Sequence, residues 1–187
     1  MNTMKSIVLV AVVLTATAFT SPINKIVNVN ESKINWKGKK ILGSHTGTIN
    51  FVEGHLEMNN DELVGGKFVV DMTSITVTDL EGGSKQKLEG HLKSDDFFGI
   101  ANHPTSILVI NSATKDGNTY DVVGDLTIKG TTEPIKFELE MGDSAAITSL
   151  KIDRTKYGIR YGSGSFSDDL GDKAISDKFS LDITLKF

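Results

Sequence analysis

The chain has 187 residues, 39% of them hydrophobic and 24% charged. That fits one soluble globular domain and excludes a disordered tail or a polytopic membrane protein. The net charge of -4, without a basic run, argues against nonspecific nucleic-acid binding, and the absence of cysteine removes disulfides, Cys-ligated zinc, iron–sulfur clusters, thiol catalysis and an acylated Cys together.

Residues 1–18, MNTMKSIVLVAVVLTATA, read as a secretory signal peptide: Lys5 supplies the positive region, an apolar run follows, and Ala16-Thr17-Ala18 is an A-x-A cleavage site. The strictly apolar run, Ile7 to Leu14, is too short to span a bilayer, which takes about 20 residues. The sequence therefore predicts a periplasmic or secreted protein, with one domain over residues 19–187 and no stable membrane span after cleavage.

From there the pattern is alternation. Ile34 and Trp36 interleave with Lys33, Asn35 and Lys37. Ile49 and Phe51 face Leu56 and Met58 across Glu53-Gly54, which reads as a short hairpin. Phe68, Val70 and Met72 share a face, and further strands are expected at 107–110, 120–128, 135–141 and 147–152. The last ten residues, KFSLDITLKF, alternate strictly, so one face is buried and the other wet. Asn59-Asn60-Asp61, Asp116-Gly117-Asn118 and Gly142-Asp143 supply turns between these runs. One stretch, 84–98, breaks the pattern. Leu88 and Leu92 stand at i, i+4, which predicts a short helix ending before Asp95, with Ser84 as its cap. About eight strands and one helix make an antiparallel sandwich or closed barrel. The inward candidates are aliphatic and aromatic, so any cavity is greasy.

Catalytic signatures are missing. There is no G-x-S-x-G, no phosphate-binding G-x-x-x-x-G-K-[ST], no G-x-G-x-x-G opening a helix and no H-E-x-x-H. His45, His55, His91 and His103 have no metal-ligand spacing, so no metal or other cofactor is expected. His45, between glycines, is read as anchoring a loop or capping a cavity mouth. Asp95-Asp96 are adjacent residues that point apart and suit local backbone bonds better than acid–base work. Arg154 is read as an ion-pair partner or polar plug, which must be paired if buried.

Several motifs together resemble the YceI-like family. They are Trp36-Lys37-Gly38-Lys39-Lys40, Gly43-Ser44-His45-Thr46-Gly47, Gly65-Gly66-Lys67-Phe68, Asp71 to Ile75, His91 to Phe98, His103-Pro104, Gly124 to Thr132 and Ile152 to Ile159, in the family's order. The sequence departs from the pattern at Gly99-Ile100-Ala101-Asn102, where an acidic residue is frequent. The resemblance implies an all-β fold: an elongated, lipocalin-like antiparallel barrel with an apolar lumen that binds polyisoprenoids or similar long-chain amphiphiles in the periplasm. On that basis Trp36, Phe68, Phe97, Phe98, Leu126, Ile128 and Tyr157 are wall candidates, and His45 and Arg154 head-group candidates. The expected partner is a long-chain isoprenoid or acyl lipid. Two rivals stand beside this carrier reading: a lipid-modifying enzyme with His45 or Asp96 as base, and a filled barrel acting as an interaction module. An exposed edge or apolar patch could also mediate a homodimer.

Overall fold

The computed structural model describes residues 21–167 and 169–187, so the signal peptide expected over 1–18 lies outside the described residues. Among the described residues nine strands form one antiparallel sheet: β1 (Ile23–Ile26), β2 (Lys33–Lys39), β3 (Ser44–Asn59), β4 (Glu62–Val77), β5 (Thr105–Asp116), β6 (Thr119–Ile128), β7 (Thr131–Met141), β8 (Ala145–Asp153) and β9 (Lys178–Lys186). The first half of β3 pairs with β2, and β3 pairs with β4 along its other edge. That closes β2 through β9 into an eight-stranded barrel. β1 lies outside the ring, on the second half of β3, with Ile23 opposite Met58. The alternation seen in sequence is the inside–outside rule of that barrel: in β2, Ile34 and Trp36 are buried between exposed neighbours.

Three tight hairpins close one end. Asn60 and Asp61, at φ 49 and 64, turn β3 into β4, and Gly117, at φ 60, helps turn β5 into β6. Residues 142–144 turn β7 into β8. At this hairpin end Leu56, Leu63, Val122, Leu139 and Ala146 are almost fully buried in a solid cluster. Each large apolar side chain there contributes about 1.5–3 kcal/mol through burial.

The opposite end carries the helix and the long connections. α1 (Gly82–Lys93) has Glu81 as its N-cap, three residues before the expected Ser84, and that residue makes no side-chain cap bond. It is held from within: the Glu89 carboxylate accepts the Val77 N–H at 2.9 Å and the Thr76 hydroxyl at 2.7 Å. These bonds keep the Glu89 carboxyl below the usual carboxylate range. Leu92 and Phe97 are buried in the second core cluster, which fills this end.

Two expectations are corrected. Glu53-Gly54 is no hairpin, because β3 runs through it without a break. Gly54 lies opposite Phe68 on β4, and a Cβ there would stand 2.6 Å from Phe68 Cδ1. The glycine thus makes room for a ring, not for a turn. β7 starts at Thr131 rather than Ile135, because Lys129 and Gly130 both adopt positive φ and form a tight turn.

Candidate functional site: the barrel lumen

The eight barrel strands enclose a narrow channel. It runs from Lys39 and Ile175 at the helix end to Ile110, Leu139 and Leu185 near the hairpin end. Its volume is about 160 Å³. An apolar cavity of about 150 Å³ stays dry and takes one benzene-sized guest. The wall is almost wholly carbon. Two hydroxyls in it are already spent: Ser106 donates to the Thr127 carbonyl and Thr148 to the Glu138 carbonyl, each at 2.6 Å. Charged side chains in the lining are Lys39, Arg154 and Lys178, all at the helix end.

Aromatic rings occupy glycine positions across the strands. Trp36 lies opposite Gly47, and a Cβ at Gly47 would stand 2.5 Å from Trp36 Cζ2 and 1.8 Å from the Thr76 carbonyl oxygen. Phe68 covers Gly54 in the same way. Missing side chains on β3 are therefore what allow two large rings into the wall. The Trp36 Nε1 is buried and has no hydrogen-bond partner among the described residues.

The helix end is closed by the long connection between β8 and β9. It starts with a 3₁₀ turn (Arg154–Tyr157), capped by the Asp153 carboxylate, which accepts the Thr155 N–H at 3.0 Å and its hydroxyl at 2.6 Å. Arg154 is 3% exposed and acts as the tie. It donates to the carbonyls of Ser176, Ile159 and Tyr161 at 2.9 Å and of Ile175 at 3.0 Å. Its Nη2 also stands 3.7 Å from Asp177 Oδ1. Burial pulls the guanidinium pKa down, and Asp177 and Asp153 pull it back up. Hydrogen bonds from Ser163 and Ser165, with the Arg154 charge beyond them, hold the Asp177 carboxyl below its ordinary range. Ile175 is pinned between Lys40 and Ser163 by isolated bridges, and its side chain reaches the lumen. Above it an aromatic group joins α1 to this connection: His91 contacts Phe97 at 4.9 Å and Tyr161 at 4.4 Å between ring centroids.

Of the nine residues read from sequence, Trp36, Phe68, Phe97, Phe98, Leu126, Ile128 and Arg154 line this lumen. Tyr157 and His45 do not. Tyr157 is buried in the core beside the wall, and burial, with the nearby Glu133 charge, pushes its phenol up to about 12. His45 stands on the rim, with Nδ1 3.1 Å from Asp79 Oδ2. Burial opposes ionisation of Asp79, but the Thr46 N–H and His45 outweigh it and lower its pKa. The pair ties the start of β3 to the segment that leaves β4. Asp95 and Asp96 are exposed and outside the lining. Among the described residues no group of three metal-ligating side chains converges. The sequence reading missed wall residues on β8 and β9, such as Leu150, Leu181 and Ile183, although their alternation marked them as inward. It also missed Ser163 and Asp177, which nothing in the local pattern distinguishes.

The YceI-like domain model matches residues 26–187. The chain belongs to the YceI-like family. Among known relatives, a UPF0312 protein of Pectobacterium atrosepticum is 29% identical over 72 residues, which is 38% of this chain and 38% of that protein. The matched part thus spans well under two thirds of the relative's length. Solved structures share the fold. BcnA of Burkholderia cenocepacia superposes with a TM-score of 0.69 at 19% identity, covering 85% of this chain and 98% of that one. A polyisoprenoid binding domain from Saccharophagus degradans, implicated in plant cell wall breakdown, superposes at 0.63 with 16% identity, over 86% and 95% of the two chains. Among the described residues no helix is long and apolar enough to cross a membrane.

Proposed function

We propose that this YceI-like protein is an exported carrier that holds the apolar tail of a long-chain amphiphile, a polyisoprenoid or an acyl lipid, inside its barrel. The observation that carries the reading is the lumen: a closed barrel with a channel of about 160 Å³ whose wall offers almost no polar atom. Polar substrates gain nothing there, whereas each buried methylene contributes about 0.8 kcal/mol. The polar end of the guest belongs at the helix end, where Lys39 and Lys178 enter the lining and favour an anionic head group. The four carbonyls that Arg154 serves leave it a holder of the closing loop rather than a head-group contact. Family membership and the polyisoprenoid-binding neighbour support the choice of ligand class. Export rests on the signal-peptide reading of residues 1–18 and on the family's periplasmic habit. Neither His45, paired with Asp79, nor the exposed Asp96 adjoins the lumen, which disfavours the enzyme reading.

Trp36 is the chain's one tryptophan and lies in the wall, so its emission reports on the lumen. Titration with a series of saturated fatty acids and prenols of increasing length is expected to change that emission. Affinity should rise by about fourfold per methylene until the channel is full. A flat response across the series would overturn the reading in favour of a filled barrel.

A further inference from the structure

We propose that the apolar chain enters and leaves the lumen sideways, through the seam between β7 and β8, and that Tyr157 is the removable plug of that seam. The inference rests on the lipid-binding reading and adds to it a route.

Every other neighbouring pair in the ring is laddered over at least five residue pairs. β7 and β8 share two, Glu140 with Ile147 and Met141 with Ala146, next to their turn. Continuing that register sets Glu138 against Ser149 and Lys136 against Lys151, and none of these is paired. One substitute bond remains, from the Thr148 hydroxyl to the Glu138 carbonyl. The sequence itself forbids a full ladder on both sides of β7. Pro134 lies within the strand and has no N–H, and proline inside a sheet is confined to edges and bulges. β7 is thus built as an edge in the middle of a closed barrel.

The margins of this seam are lumen wall. Phe137 and Leu139 on one side, and Thr148, Leu150 and Ile152 on the other, all line the channel. Away from the hairpin turn, the 3₁₀ turn that follows β8 packs against β7. Its Tyr157 is 2% exposed and lies close enough to Glu133 on β7 to feel its charge. Tyr157 is thus placed at the end of the seam away from the hairpin turn, where β7 and β8 share no ladder. Displacing one ring there breaks no ladder hydrogen bond.

The other routes are shut more firmly. The hairpin end is a packed plug of buried apolar residues. The helix end is tied by the four carbonyl bonds of Arg154 and by the bridges of Ile175. A guest larger than the 160 Å³ channel also has to widen the barrel, and a two-pair seam is where a closed sheet yields at the least loss of hydrogen bonds.

The absence of cysteine makes the test clean. Lys136→Cys with Lys151→Cys places two exposed thiols across the seam. A short bis-methanethiosulfonate linker joins them and a reductant frees them. Asp121→Cys with Glu138→Cys does the same across the fully laddered β6–β7 pair as a control. Uptake of 11-(dansylamino)undecanoic acid is followed by energy transfer from Trp36. The β7–β8 staple is expected to slow uptake at least tenfold, with recovery on reduction, while the control staple leaves the rate unchanged. Independently, Tyr157→Ala is expected to speed uptake at least fivefold. Equal rates for stapled and reduced protein, an equal effect of the control staple, or an unchanged rate in Tyr157→Ala would each overturn the route. If the unstapled protein does not bind the probe at all, the lipid-binding reading falls and takes the route with it.

Discussion

Replacing Arg154 by methionine tests whether this side chain is what holds the helix end shut. Methionine fills similar volume but donates nothing, so the carbonyls of Ser176, Ile159, Tyr161 and Ile175 lose their donor in one step. Asp177 loses its cation as well. Hydrogen bonds from a charged donor contribute about 1.5–3 kcal/mol each, but part of that gain offsets the desolvation of the guanidinium, which methionine no longer suffers. Leaving the partners of one buried charged donor unsatisfied costs about 3–5 kcal/mol net. In a chain of this size each kcal/mol lowers Tm by about 2–4 °C, so a fall of about 6–20 °C is expected. Arg154→Lys should recover little, because one ammonium cannot reach carbonyls spread over residues 159 to 176. Urea and thermal unfolding of the wild type and both variants measure this. A loss below about 1 kcal/mol in Arg154→Met, or full recovery by lysine, would show that the loop is held by something else.

Further outcomes are expected. Glu89 and Asp177 have folded pKa values below their ordinary values of 4.5 and 3.8, so their stabilisation is complete above those values and is lost as pH falls through the folded ones. Stability should therefore start to fall as pH drops below about 4.5 and keep falling through the lowered folded values, and Glu89→Gln should flatten that fall in acid denaturation measurements. A side chain at Gly47 meets the Thr76 carbonyl and the Trp36 ring, so Gly47→Val should cost at least about 2 kcal/mol and shift the Trp36 emission. An unshifted spectrum with wild-type stability would contradict that packing. Amide exchange should be faster at alternate positions of β7 between 132 and 139 than along β6, since those β7 groups have no ladder partner. Equal protection would mean the two strands are joined in solution.

Much of the barrel was legible because its physics is local. A strand half in water and half in core must alternate, and KFSLDITLKF does so without exception. The turns at Asn60-Asp61 and Gly117 announced themselves by residue type. Gly54 misled for the same reason, because glycine signals either a turn or a ring on the neighbouring strand, and only the partner strand decides which. The alternation at Ile34 and Trp36 and in the 120–128 strand was readable, but Trp36, Leu126 and Ile128 became wall candidates through the family resemblance, and whether they met across an open or a filled channel depended on contacts between strands far apart in sequence. The fate of Arg154 is the sharpest case. Sequence could say that a buried arginine needs partners, but four of its partners are backbone carbonyls, which carry no residue signature. The weak β7–β8 seam had one readable sign, Pro134, and its meaning emerged only once the neighbouring ladders were known.

The central claim is that the channel holds an apolar chain, and the most direct measurement is what comes out of it. The protein, purified natively from an exporting host, would be extracted with organic solvent and the extract analysed by mass spectrometry. Leu150→Trp, which fills the channel from β8, would be treated identically. The account predicts a stoichiometric isoprenoid or acyl compound from the wild type and little or none from the folded variant. A clean blank from the wild type, repeated after incubation with lipid extracts, would contradict it.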